Sequence, residues 1–352
     1  MFKGFLLIVL LAAPVAPARA DHVDVRHGVT YGSGKVAAPA PAEEVAAAAA
    51  DEAAAPAAVS EELKLDLYTP ARRASQRRPL VIVIHGGAFR RGSRADPSIV
   101  RIARALAGRG NVVASIDYRL SSPRPIPSAR VAPLVATAGD RPVDDAIAAA
   151  VDDALSAVDY LRARAGRLRI DLDRLGLVGA SAGAITANNV AYVLDDVAIA
   201  GPRLRFVASL WGGIPRRRAS AGRLGADQLE PGAPALFAVH GAADGRVPVR
   251  LSDDLVARAR DVGVRAEYHR LAGRRHGFVA TDFFGLPVRG AQTAFRRLLA
   301  FASAELRQPA RRCVRPAARD RRDASRRRCQ YPARRAARNL IARSRRAGGS
   351  RE

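Results

Sequence analysis

The stretch that most constrains this chain runs from Leu175 to Leu194 and reads LGLVGASAGAITANNVAYVL. Its first four residues are an apolar run bounded by turn residues, which reads as a buried strand. Gly179-Ala180-Ser181-Ala182-Gly183 follows, and the chain then continues as a helix of small residues. A strand that turns sharply into a helix at G-x-S-x-G exposes the serine hydroxyl on a strained corner. Side chains at 179 and 183 would collide with the neighbouring strand or helix, which explains both glycines. Ala182 opens the helix, where its N–H lies beyond the reach of any intrahelical carbonyl. That donor and the positive helix end can steady an anion forming beside Ser181.

Strand and helix patterns alternate on both sides of this corner. Residues 23–31 alternate as an edge strand does, and alternation resumes over residues 63–68 (LKLDLY). Between them, residues 36–59 are an Ala/Pro/Glu low-complexity segment, read as a disordered or loosely helical insertion in a hairpin loop. Residues 80–84 (LVIVI) form a continuous β-branched run, as expected of a central strand covered on both faces. Further strands are expected over residues 111–117, 204–210, 235–239 and 265–271, and helices over 97–107, 143–165, 248–262 and 290–306. The helix over 143–165 is amphipathic, with Ile147, Val151, Leu155, Val158 and Leu161 three or four apart. Residues 121–140 are Pro-rich and lack periodicity, and a loop of that length reads as a lid or pocket rim. The alternation argues for an α/β fold with a doubly wound, mostly parallel sheet and helices on both faces. At 352 residues the chain is long enough for one large domain with a full core.

A serine hydroxyl is a weak nucleophile and needs a base within reach, itself oriented by a third group. Asp244 follows the expected strand 235–239, in His240-Gly241-Ala242-Ala243-Asp244. His276 follows the next strand, in Gly273-Arg274-Arg275-His276-Gly277-Phe278. The chain order Ser, Asp, His suits this architecture, and both loops open at the carboxyl ends of strands, where open α/β sheets hold ligands. Asp244 has a second reading as a turn residue. Of the remaining histidines, His22 and His27 precede the core, His269 sits mid-strand, and His85 and His240 end strands and brace the loops they begin. Asp253 and Asp254, in the first turn of an expected helix, read as dipole partners. His85-Gly86-Gly87-Ala88-Phe89, after the central strand, can turn its backbone amides towards the strand's carboxyl end.

These four motifs resemble the α/β-hydrolase fold. More narrowly, they are similar to bacterial carboxylesterases and lipases related to hormone-sensitive lipase, including the BD-FAE group. The resemblance runs from about Leu63 to Leu306. It implies Ser181 as nucleophile, His276 as general base and acid, and Asp244 as the carboxylate that orients it. It also implies oxyanion donors at the N–H groups of Gly87, Ala88 and Ala182, and a small-molecule ester as substrate. The chemistry requires neither cofactor nor metal. An amide- or peptide-hydrolysing relative would use the same residues.

The termini carry separate signals. Residues 1–20 have Lys3, an apolar run and Ala18-Arg19-Ala20, the three parts of a secretory signal peptide. Secretion or a periplasmic location is therefore expected. The net charge is +25, and residues 308–352 hold 16 Arg against three acids. This basic tail is expected to be disordered. It suits contact with an anionic surface, which leaves a binding protein on a hydrolase scaffold as an alternative of another class. With so few aromatics interleaved, no specific nucleic-acid partner is expected. Cys313 and Cys329, the only cysteines, lie in this tail and could pair in an oxidising compartment. The organisation expected is residues 1–20 as signal, 21–62 as strand and insertion, 63–307 as catalytic domain and 308–352 as tail.

Overall fold

A computed structural model describes residues 22–38, 57–71, 75–136, 142–215, 217–219, 222–277 and 282–308. Residues 1–21, where a signal peptide is expected, the centre of the low-complexity insertion, Phe278 and the basic tail with both cysteines lie outside the described residues.

The chain opens with β1 (Val23–Ala37) and β2 (Ala58–Pro70), followed by β3 (Arg78–Ile84), α1 (Pro97–Ala107) and β4 (Val112–Ile116). Next come β5 (Pro125–Ile126), α2 (Ala132–Val135), α3 (Pro142–Ala163) and α4 (Ala165–Leu168). The centre is β6 (Ile170–Ala180), α5 (Ala182–Tyr192) and β7 (Phe206–Leu210). A small hairpin of β8 (Arg217–Ala219) and β9 (Gly222–Leu224) precedes β10 (Ala235–Gly241), α6 (Arg250–Asp261) and β11 (Ala266–Leu271). A second small hairpin, β12 (Pro287–Arg289) and β13 (Gln292–Thr293), leads into α7 (Ala294–Arg307).

Nine strands form one sheet in the order β11-β10-β7-β6-β3-β4-β2-β1-β5. From β11 to β4 every neighbouring pair is parallel, while β2, β1 and β5 add antiparallel strands at one edge. This is the doubly wound, mostly parallel α/β sheet expected of an α/β hydrolase. The run LVIVI shows why it holds together. Leu80, Ile82 and Ile84 pack in a core layer with residues of α3, α5 and α6, whereas Val81 and Val83 pack on the other face with α1 and α7. Each strand residue is thus removed from water on whichever face it points to.

Several boundaries differ from the sequence reading. The hairpin arms extend into the low-complexity segment, where Val36 pairs with Val59, and residues 39–56 lie outside the described residues. β2 crosses position 63, so the first hairpin is built into the main sheet. The last helix begins at Ala294, because the Thr293 side chain accepts from the Arg296 N–H and caps it there. Residues 121–136 do not line the cavity described below. Instead β5 pairs with β1, and Val131 and Leu134 are buried beside α3. The segment is a strap over the helix layer.

A buried ion cluster fastens that strap. The Arg119 guanidinium, 2 % exposed, bonds Asp153 at 2.7 Å and Asp152 at 3.0 Å, both on α3. The same group donates to the carbonyl oxygens of Lys35 on β1 and Ile126 on β5. Asp152 in turn accepts from the Ser128 hydroxyl at 3.0 Å.

At the opposite edge, Glu267 of β11 takes two bonds from Arg297 of α7, at 2.7 and 2.8 Å, and one from His269 at 2.9 Å. Burial opposes ionisation of Glu267, but the His269 and Arg297 hydrogen bonds and the guanidinium charge outweigh it and hold the carboxyl at about 2. A carboxylate depressed on folding adds stability above its unfolded value of 4.5, and that share is lost as pH falls towards about 2. Glu267→Gln should therefore lower Tm near neutral pH, with the gap to wild type closing as pH drops below 4.5. Thermal melts across pH 7 to 3 check this; a gap that widens on acidification contradicts it.

Candidate active site

The corner between β6 and α5 has the geometry its glycines imply. Ser181 sits at φ 53°, ψ −115°, a left-handed backbone rarely adopted by an L residue. Its N–H donates to the Leu210 carbonyl at 2.9 Å, tying the corner to β7. A Cβ on residue 179 would meet the Gly183 carbonyl oxygen at 2.1 Å, and one on 183 would meet that of Ile84 at 2.2 Å. No side chain fits at either position, so strand and helix can close only around glycine.

Three side chains distant in sequence meet at this corner. Ser181 Oγ lies 2.8 Å from His276 Nε2, and His276 Nδ1 lies 2.7 Å from Asp244 Oδ2. Sheet order explains the meeting. β6, β7, β10 and β11 are consecutive parallel neighbours, so the loops after β6, β10 and β11 emerge at the same edge. Asp244 is a turn residue whose Oδ1 accepts the N–H groups of Arg246 and Val247 at 2.9 Å, while its Oδ2 faces His276.

Asp244 has a fully buried side chain. Burial opposes its charge, but hydrogen bonds from His276 and from the Val247 and Arg246 N–H groups outweigh that and hold its carboxyl below the usual carboxylate range. It stays ionised, which fixes the imidazole with Nδ1–H towards Asp244 and leaves Nε2 as an acceptor facing Ser181 Oγ.

The loop after β3 completes the site. Gly87, Ala88 and Phe89 all have positive φ, at 116°, 57° and 60°. The N–H groups of Gly87, Ala88 and Ala182 have no hydrogen-bond partner among the described residues. The loop is held from behind. His85 Nδ1 donates to the Gly86 carbonyl at 2.7 Å, and its ring stacks on Tyr118 at 4.3 Å. The Tyr118 hydroxyl donates to the His85 carbonyl at 3.2 Å, and the Ser121 N–H to that of Phe89 at 2.6 Å. Burial pushes the His85 imidazole below its ordinary range, so this brace is neutral. His85 therefore braces its loop as expected, whereas the part played by Tyr118 had no signal in the sequence.

A cavity of about 740 Å³ opens beside Ser181 and His276. Phe89, Ile99, Val143, Ile185 and Trp211 give it an apolar wall. His269 is elsewhere, hydrogen-bonded to Glu267 on β11. Asp253 accepts from the Tyr268 hydroxyl at 2.7 Å and holds β11 to α6. His27 pairs with Asp66 on the antiparallel side of the sheet.

Sheet, corner and convergent loops define an α/β-hydrolase fold. Comparisons with known proteins agree: residues 65–131 match the BD-FAE family model, and residues 143–227 match a model described as alpha/beta hydrolase fold. Among solved structures, esterase 2 of Thermogutta terrifontis phosphonylated by cyclosarin is 26 % identical with a TM-score of 0.50. That match covers 70 % of this chain and 89 % of that one. The propionate-bound form gives 26 % and 0.51 over the same shares, and the form phosphorylated by paraoxon 25 % and 0.51 over 70 % and 88 %. No curated protein matches the chain. The chain has the α/β-hydrolase fold and resembles bacterial esterases.

Proposed function

We propose that this protein is a serine carboxylesterase acting on short-chain or aryl esters through an acyl-enzyme on Ser181. The observation that carries this reading is the unbroken hydrogen-bond series from Ser181 through His276 to Asp244 at the rim of an apolar cavity. His276 Nε2 takes the hydroxyl proton as Ser181 Oγ attacks the ester carbonyl carbon. The negative charge that develops on the carbonyl oxygen is held by the N–H groups of Gly87, Ala88 and Ala182. His276 returns the proton to the leaving alcohol, leaving an acyl-serine. Water then enters and gives a proton to His276 as its oxygen attacks the acyl carbon, and His276 returns that proton to Ser181 Oγ as the acid leaves. The Asp244 charge stabilises the imidazolium formed in each half-reaction.

Support for a reactive hydroxyl comes from the Thermogutta esterase, which cyclosarin phosphonylates and paraoxon phosphorylates. The propionate held by the same esterase supports short acyl chains. A panel of nitrophenyl esters from acetate to palmitate, run with a serine-directed phosphonate, tests the reading. Turnover highest on the short esters and a phosphonate adduct on Ser181 are expected. A matched anilide cleaved faster than its ester would transfer the assignment to amides. Export rests on residues 1–20, and a mature N-terminus at Asp21 is its test.

The donor loop makes a separate prediction. A Cβ on residue 87 would lie 1.9 Å from the Arg91 carbonyl oxygen, at a φ that already disfavours side chains. Gly87→Ala must therefore move the N–H donors, and kcat should fall roughly 10²–10³-fold with KM little changed. Steady-state kinetics with unchanged turnover would remove this loop from the mechanism.

A further inference from the structure

The mechanism above uses one histidine against Asp244, yet the structure places two. His240 ends β10 and is fully buried. Its Nε2 lies 3.0 Å from Asp244 Oδ2, the same oxygen that faces His276. That nitrogen also lies 3.0 Å from the Val247 carbonyl oxygen. Both neighbours only accept, so Nε2 carries the hydrogen and is shared between them. Across the ring, Nδ1 lies 2.7 Å from the Ser252 hydroxyl on α6, which is itself 2.9 Å from the Gly212 carbonyl oxygen. Nδ1 then accepts the single Ser252 hydroxyl hydrogen, so the ring ties the Asp244 loop to α6.

We propose that His240 is a positioning residue of the reaction, one that aims Asp244 Oδ2 at His276 and tempers its pull on the imidazolium. The proposal rests on the reading of Ser181, His276 and Asp244 given above. Asp244 is a buried carboxylate that, among the described residues, accepts from four N–H groups, those of His276, His240, Arg246 and Val247. Arg246 and Val247 fix Oδ1, and among the described residues the two histidines hold Oδ2. Without His240 the Oδ2 atom keeps one of its two donors, so its aim is less constrained and it presents its charge to His276 alone. A histidine that merely filled the end of β10 would have no use for polar partners at both nitrogens in a site closed to water. The ionisable groups facing His240 are Asp244 from its own loop and His276 from the loop after β11. α6 and the loop after β7 contribute only the neutral Ser252 and Gly212. Burial holds His240 below the ordinary histidine range, so it donates without adding a charge.

Two substitutions separate this role from packing. His240→Leu removes both bonds, whereas His240→Gln keeps an N–H that reaches Oδ2. Hydrolysis of nitrophenyl butyrate is measured across pH, with active sites counted by phosphonate titration so that misfolded protein does not contribute. For His240→Leu, kcat per titrated site should fall roughly 10-fold while KM stays within about twofold. The acidic limb of its kcat/KM profile should move up by about 0.5–1 pH unit, the worth of one hydrogen bond on the carboxylate. His240→Gln should return kcat to within about threefold of wild type, and the limb to its place. If His240→Leu does not fold, His240→Asn replaces it, since its shorter amide reaches Ser252 but not Oδ2. Wild-type kcat per site with an unmoved limb would overturn the proposal, as would equal losses in the Leu (or Asn) and Gln variants. A wild-type protein that neither cleaves the ester nor reacts with the phosphonate fails at the earlier step, and refutes the serine-esterase reading itself.

Discussion

Ser181→Ala should lower kcat on a nitrophenyl ester by roughly 10⁴–10⁶-fold while leaving substrate affinity nearly unchanged. The methyl group keeps the small volume at the corner but has no oxygen within reach of His276 Nε2. The residual rate would come from the N–H donors and the bound geometry, which still favour attack by water. The strained φ of 53° is set by the flanking glycines and by the bond to Leu210, none of which uses the hydroxyl. Stability should therefore stay within about 0.5 kcal/mol of wild type. Steady-state and burst kinetics on purified protein decide the matter. A variant that keeps about a tenth of wild-type turnover or more would move the nucleophile elsewhere.

Arg119→Met carries the largest expected effect on stability. The guanidinium is 2 % exposed and answers Asp152 and Asp153 together. Removing it leaves two carboxylates inside the protein without their cation, and frees the carbonyl groups of Lys35 and Ile126 that bind β1 and β5. Breaking a buried pair on one side costs about 3–5 kcal/mol. In a domain of this size that lowers Tm by roughly 10 °C. The loss comes from stranded charge more than from missing attraction, so changing Asp152 and Asp153 to Asn in the same chain should recover much of it. Calorimetry of the single and triple variants measures both. A single variant with wild-type Tm, or a triple variant no better than the single, would show that the cluster does not hold the strap. Space makes the same point, since a Cβ on residue 34 would lie 2.3 Å from Arg119 Nε.

The parts of the candidate site that were legible in the sequence share one property. Each announces itself within a few neighbouring residues. Ser181 stands between two glycines after an apolar run, and the His85-Gly86-Gly87 loop follows the strongest strand pattern in the chain. Asp244 and His276 each follow a strand, and their order needs only the rule that parallel strands empty their loops on one edge. What escaped notice depends on residues far apart in sequence. Tyr118 braces the donor loop 33 positions away, and Arg119 reaches a carbonyl 84 positions away. His240 reads from the sequence as a loop brace, and nothing local shows that its Nε2 and His276 Nδ1 face the same oxygen of Asp244. The Pro-rich segment from Ser121 lacked periodicity because it is held by β5 pairing and by the Arg119 cluster, neither of which leaves a repeating pattern.

Hydrophobic period, turn chemistry and motif order, all properties of short windows, determined the class of fold, the strained serine corner and the three side chains worth testing. Tertiary structure alone decided where those side chains sit, since the order in which strands join the sheet places the loops of residues 181, 244 and 276 together. It also decided which groups support them from behind and which segment became a strap. The physical reason is one of range. Backbone preference and burial on one face are fixed residue by residue, whereas a shared hydrogen bond or a filled cavity exists only after distant elements have packed to within about 3 Å of each other.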